Sequence, residues 1–135
     1  MVTRPLMSWS PDMTVGVAIL DEEHQTLIRL INVLDAIADN GNRVSIETAL
    51  SELATFAVKH FHDEESFMTR IRYSRLAEHQ EQHDEFTTKV QSFLRRLAVE
   101  DHSRLVREIL QYLEVWWTDH ILESDKSFAI EANIA

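Results

Sequence analysis

Apolar side chains along this chain recur at spacings of three and four, the period of a helix with one buried face. The clearest stripe is Leu76, His79, His83, Phe86, Val90, Phe93 and Leu97. Another is Ile46, Leu50, Leu53, Ala57, His60, Glu64 and Phe67. The last runs Val106, Ile109, Leu113, Trp116 and His120, and the first Leu20, His24, Leu27, Ile31 and Leu34. These stripes predict four helices, over about 18–39, 44–68, 75–98 and 102–122. Residues 1–17, with Pro5, Pro11 and Gly16, read as an irregular N-terminal arm, and 123–135 as a C-terminal segment. Polar turn formers separate the helices. They are Asp39 to Asn42, where Gly41 suits a left-handed helix end; Thr69 to Ser74; and Val99 to Ser103, with Asp101 as an N-cap.

Four stripes of similar length joined by short turns predict an all-α fold, an antiparallel up-down-up-down four-helix bundle forming one domain over 1–135. Alternate helices of such a bundle run in opposite directions. His24, and the pair His79 and His83, stand near the starts of the first and third segments. His60 with Glu64, and His120, stand near the ends of the second and fourth. Every polar interruption of a stripe therefore falls at the same end of the bundle, facing its axis.

Helical phase sorts the crowded stretch His60 to Glu65. With His60 at zero, Glu64 lies at about 40° and Phe67 at about −20°, inside the stripe. Asp63 lies on the border at about −60°, while Glu65 at about 140° and His62 at about 200° point elsewhere. His79 and His83 both fall within roughly 40° of the centre of their stripe. His120 is near the centre of the fourth stripe, and His24 is off the centre of the first. His62 and His102 have no partner at helical spacing and read as solvated.

An inward set of imidazoles and a carboxylate costs several kcal/mol for each unpaired group, and a metal satisfies them together. Five histidines and a glutamate exceed the four ligands of a structural zinc site and fit two octahedral ions bridged by carboxylate. A second bridge from near His120 comes from Glu123, at about 300°, or Asp125, at about 140°. Phase favours Glu123 and does not settle the choice.

Composition narrows the chemistry. The chain has 135 residues, 2 Gly, 2 Pro and no Cys. It is long enough for one core, is suited to helices, and lacks disulfides, thiolate sites and cysteine nucleophiles. A formal net charge of −10 argues against nucleic acid and anionic membranes as partners. No apolar run approaches a membrane span, and the start MVTRPLMSWS lacks a signal-peptide core. The expectation is a cytoplasmic domain with no membrane insertion.

The order of candidate ligands resembles the hemerythrin family, single-domain bacteriohemerythrins in particular. One histidine stands on the first helix (His24 in LDEEHQ). Then follow H-x-x-x-E (His60 and Glu64 in HFHDEE), H-x-x-x-H (His79 and His83 in HQEQH) and H-x-x-x-x-D (His120 and Asp125 in HILESD). The likeness runs from Trp9 and Gly16 through DKSF, beginning at Asp125. It selects Asp125 over Glu123, and so implies that the fourth helix ends or unwinds just after His120.

The resemblance further implies two iron ions, bridged by an oxo or hydroxo group. His79, His83 and His120 would hold one and His24 and His60 the other, with Glu64 and Asp125 as bridges. Dioxygen would take the open position beside His24 and His60, in a pocket of Leu27, Ile28, Phe61, Trp116 and Trp117. The implied function is reversible dioxygen binding for carriage, storage or delivery. The implied molecule is a monomer, not an enzyme, serving an unidentified oxygen-consuming partner. The alternatives are sensing of oxygen, nitric oxide or redox state, and a di-iron enzyme acting on peroxide or nitric oxide. No further inward Glu, Tyr or Lys is read near the open position as a proton donor, which disfavours the enzyme.

Two positions depart from the family pattern. Tyr73-Ser74 stands where Tyr-Pro is common, which implies a looser turn. Trp116-Trp117 stands where Trp-Leu is frequent. Trp117, about 60° from His120, is expected on the metal side, narrowing the pocket.

Overall fold

The computed structural model describes residues 5–133, so residues 1–4 of the expected arm and 134–135 of the C-terminal segment lie outside it. Four long helices form: α1 (Ala18–Ile37), α2 (Arg43–Arg70), α3 (Leu76–Leu97) and α4 (His102–Asp119). Each packs on the next, and α4 packs back on α1, closing the bundle. No strand occurs among the described residues. The predicted stripes face the interior because burying each large apolar side chain stabilises by about 1.5–3 kcal/mol. Leu27, Ile31, Leu34, Ile46, Leu50, Leu53, Phe93, Leu97, Val106, Ile109 and Leu113 are all fully buried. Asn42 and Asp101 cap α2 and α4, accepting from the N–H groups of Ser45 (2.9 Å) and Ser103 (3.1 Å).

Four expectations need correction. In the fourth stripe Trp117, not Trp116, is the fully buried tryptophan. The inward run is Leu113, Trp117, His120, which also keeps spacings of four and three. Gly41 does not adopt a left-handed backbone; the described glycine that does is Gly16, at φ 86°. Gly41 is needed for closeness instead, since a Cβ there would lie 2.5 Å from the Ile37 carbonyl oxygen and 2.8 Å from Ser45 Oγ.

The fourth helix neither ends nor unwinds after His120. It widens into a π-helical turn, His120–Asp125, and resumes as α5, Lys126–Glu131. Nor is the turn at Tyr73-Ser74 loose. The N–H of Tyr73 donates to the Met68 carbonyl (2.9 Å) and that of Arg72 to the Thr69 carbonyl (3.2 Å), a Schellman closure with Arg72 at φ 58°. Tyr73 and Met68 pack in a small cluster with Leu20 and Phe128. The Ser74 N–H donates to Glu131 (2.8 Å), and its hydroxyl donates to the same carboxylate. A proline at position 74 would lack that N–H. Serine here ties the turn to α5.

The described part of the arm, 5–17, is pinned rather than free. Met7 and Asn32 exchange two hydrogen bonds (2.9 and 2.8 Å), and the Val15 N–H donates to Asp21 (2.8 Å). Lys126 donates to the Thr14 carbonyl (2.6 Å), and a short 3₁₀ turn, Pro11–Met13, lies against the π turn. Among the described residues no helix is long and apolar enough to cross a membrane.

Candidate metal centre

The π turn explains how residues five apart come to share a face. In a regular α-helix Asp125 would stand about 140° from His120. A turn closed from i to i+5 takes in one more residue and brings position 125 back over position 120. Asp125 is fully buried at this end of the bundle, whereas Glu123, the residue that helical phase favoured, is exposed.

All seven sequence candidates meet at one end of the bundle. His24, His60, Glu64 and Asp125 are 0% exposed, His83 2%, and His79 and His120 3%. The five imidazoles converge through their Nε2 atoms, and the carboxylate oxygens divide them. Glu64 Oε1 lies 2.6 Å from His79, 3.0 Å from His83 and 3.6 Å from His120. Glu64 Oε2 lies 3.2 Å from His60 and 3.6 Å from His24. Asp125 repeats the division, with Oδ1 2.9 Å from His79 and 3.2 Å from His120, and Oδ2 2.9 Å from His24. The donor atoms thus gather into two groups: Glu64, His79, His83 and His120; and His24, His60, Glu64 and Asp125. Glu64 belongs to both.

The directions of these contacts test whether a cation fits. His24 Nε2, His60 Nε2, Glu64 Oε2 and both Asp125 oxygens are buried and form no hydrogen bond, despite neighbours near 3 Å. Buried polar atoms left without partners are costly, and a cation among them would satisfy them together. His83 Nε2 and His120 Nε2 stand only 3.2 Å apart, a poor contact for two neutral acceptors and a suitable one for two ligands of one ion. Nitrogen and oxygen donors without sulfur suit iron, zinc or manganese. The residues present fit a metal.

Electrostatics of the metal-free chain agree. Burial works against charging His24 and His79, yet the Asp125 and Glu64 carboxylates override it and raise both imidazoles to about 10. Burial likewise opposes charge on His60 and His120, and the carboxylates raise these too. Burial pushes the Glu64 carboxyl up, but His60 and the other imidazoles hold it well below the usual carboxylate range. Asp125 is lowered in the same way, against burial and the repulsion of Glu64.

Behind the imidazoles lies a set of acceptors that phase alone did not reveal. His60 Nδ1–H donates to Glu23 Oε1 (2.9 Å), His83 Nδ1–H to Glu65 (2.6 Å) and His120 Nδ1–H to Gln82 Oε1 (3.0 Å). Such partners fix the ring and leave Nε2 for a metal. Glu65, expected to point to the surface, is half-buried and turns its carboxylate to the His83 ring. Glu23 overturns the expectation of no further inward carboxylate, being 4% exposed. It acts behind His60 rather than as a proton donor, because Oε2 is taken by Lys59 Nζ (2.8 Å). Its signal in the sequence was its place beside His24, about 100° round α1 toward α2. Border residue Asp63 pairs with Lys59 (2.9 Å), His62 is exposed and His102 is half-buried at the start of α4.

Aromatic rings wall the centre. Phe61 stacks on His83 (3.9 Å between ring centroids), Trp117 on Phe61 (5.6 Å) and Trp116 on His120 (4.4 Å). Trp117 also lies 6.0 Å from His60, and its buried indole N–H has no partner. Leu27 and Ile28 are buried on α1, within a turn of His24. Trp116 and His120 border a cleft of about 500 Å³ between α3 and α4.

Known proteins resemble this chain in sequence and in fold. Residues 15–129 match the family model described as the hemerythrin HHE cation binding domain. A bacteriohemerythrin of Clostridium acetobutylicum is 30% identical over 124 residues, covering 89% of this chain and 96% of its own. A hemerythrin-like protein of Naegleria gruberi is 36% identical over 121 residues, covering 90% of this chain and 89% of its own. The crystal structure of a wild-type hemerythrin superposes with a TM-score of 0.81 at 26% identity, covering 93% and 96%. With the family model spanning most of the bundle and a buried cation-binding cluster at one end, this chain belongs to the hemerythrin family.

Proposed function

We propose that this protein binds dioxygen reversibly at a non-haem di-iron centre, for carriage, storage or delivery. The observation that carries the reading is the division of each bridging carboxylate between two groups of imidazoles. His79, His83 and His120 would hold one iron, His24 and His60 the other, and Glu64 and Asp125 would bridge them. Bound as a ferrous pair, the irons supply the two electrons that reversible dioxygen binding takes.

The chain's own residues do the rest. With three imidazoles on one side and only two on the other, the side of His24 and His60 would be the one with room for a further ligand. Five neutral imidazoles and two carboxylates put little negative charge on the pair, which favours its ferrous form, unlike the carboxylate-rich ferritin-like sites. Leu27, Ile28, Phe61 and Trp117 would keep water out beside His24 and His60, while Trp116 covers His120 on the other side, which would slow loss of reduced oxygen species from the site.

The test begins with metal content. Two irons per chain are expected, and one zinc per chain would end the di-iron reading. The protein is then reduced without oxygen, exposed to air and returned to vacuum. A charge-transfer band that appears and disappears over repeated cycles supports carriage. Irreversible bleaching with turnover of added peroxide or nitric oxide would replace it with an enzyme.

A further inference from the structure

The three outer acceptors differ in what stands behind them. Gln82, behind His120, is a neutral amide. Glu65, behind His83, is 28% exposed, and its other oxygen accepts from the neutral Gln80 amide (3.2 Å). Glu23, behind His60, is an almost fully buried carboxylate whose second oxygen is ion-paired to Lys59 at 2.8 Å. Lys59 is 59% exposed and bridges onward to Asp63 (2.9 Å). A line of alternating charge therefore runs from His60 through Glu23 and Lys59 to Asp63 and water. His24, the other imidazole of that group, has a buried Nδ1 with no hydrogen-bond partner. Among the described residues, all the outer anchoring of the two-imidazole side rests on His60.

We propose that Glu23 is the positioning residue of this side, and that Glu23 and Lys59 together set how strongly His60 donates electrons to its metal. A carboxylate accepting Nδ1–H gives the ring imidazolate character and raises its strength as a ligand. Lys59 draws some of that charge away. The two residues thus act with opposite sign on one imidazole. They also differ in screening: Glu23 lies in the interior, whereas the ammonium of Lys59 stands in water and its influence fades with salt.

The inference rests on the di-iron reading, and the experiment separates the two. Iron-loaded parent, Glu23→Gln and Lys59→Met are compared by mediated redox titration, one electron per iron in the ferrous–ferric couple. Cobalt(II) affinity is measured on the metal-free proteins. Glu23→Gln keeps an acceptor of the same shape and removes the charge. It is expected to raise the midpoint potential and weaken cobalt binding about 10–100-fold. Lys59→Met, at an exposed position that leaves the core untouched, is expected to lower the midpoint potential and strengthen cobalt binding by roughly threefold at low salt. That gain should shrink toward none at about 1 M salt, where the screening length is about 3 Å, while the Glu23→Gln effect persists. Shifts of the same sign in both variants, or none in Glu23→Gln, overturn the inference. A parent that takes up no pair of irons overturns the functional reading instead.

Discussion

The two ends of this bundle follow opposite rules. At the end holding the α1–α2 and α3–α4 turns, Leu34, Ile46, Leu97 and Val106 are fully buried and apolar, so shape alone decides their packing. At the other end five imidazoles and two carboxylates are no more than 3% exposed, and several of their atoms have no hydrogen-bond partner. Burial stabilises at the first end by about 1.5–3 kcal/mol for each large side chain. At the second it costs about 1–3 kcal/mol for each polar group left unpaired. The apolar end makes the molecule stable enough to carry a polar end that a cation completes.

Removing the metal attacks this division hardest. A site held at a thousand times its dissociation constant adds about 4 kcal/mol of stability, so on the proposed di-iron reading chelation should cost roughly 8 kcal/mol. Urea unfolding with and without chelator measures it. The pH response should also separate the two forms. In the metal-free chain His24 and His79 are raised from 6.5 to about 10. Their stabilisation is complete below 6.5 and is lost as pH rises through about 10. Glu64 and Asp125 are lowered, so their contribution is present above the ordinary carboxylate range and is lost in acid. Metal-free stability should therefore fall between pH 7 and 10, where the loaded protein holds, since protons no longer compete for its imidazoles. Flat metal-free stability over that window would show that the imidazoles are not paired with the carboxylates as described.

Phe93→Ala strikes the apolar end, where Phe93 is fully buried. It should cost about 3–5 kcal/mol in urea unfolding and leave the iron content of the folded protein unchanged. Iron loss in folded Phe93→Ala would mean that the two ends are not separable. Trp117→Leu tests the boundary between them. Lost volume is partly offset by removing an indole N–H with no partner, so the cost should be smaller, about 1–3 kcal/mol. If the ring narrows the space beside His60, dioxygen dissociation and autoxidation should rise by roughly tenfold, the effect of about 1.4 kcal/mol on a barrier. Rates equal to the parent's would remove Trp117 from the pocket.

The apolar end was readable in the chain because a period of 3.6 places each stripe residue without reference to any other helix. Most of the polar end was readable for the same reason, since His60, Glu64, His79 and His83 interrupt stripes in phase. Asp125 was not: its place depends on a π turn, and regular helical phase puts it on the wrong face. The likeness to hemerythrins pointed to that residue but implied a helix that ends or unwinds, rather than one that widens. Glu23 escaped because it lies only on the border of its own stripe, about 60° from the centre, and acts on an imidazole of the next helix. Pairwise contacts across helices carry no period. Local backbone fit is equally silent, as at Gly41, where close approach rather than a left-handed backbone requires glycine.

The smallest test falls on the turn joining the helices of Glu64 and His79. Arg72 is exposed and holds φ 58°, a region that costs a residue with a Cβ about 1–2 kcal/mol. Glycine avoids that cost but gives back about 0.5–1 kcal/mol through the freedom of its unfolded chain. Arg72→Gly should therefore stabilise by about 0.5–1 kcal/mol, a rise of roughly 3 °C in Tm for a chain of this size. The gain should appear equally in the metal-free and loaded proteins, because the Met68–Tyr73 closure and the Ser74–Glu131 tie hold the turn in both. A gain confined to the loaded form would mean that metal, not the Schellman closure, shapes this turn. The polar end would then depend on its cation for its backbone as well as its side chains.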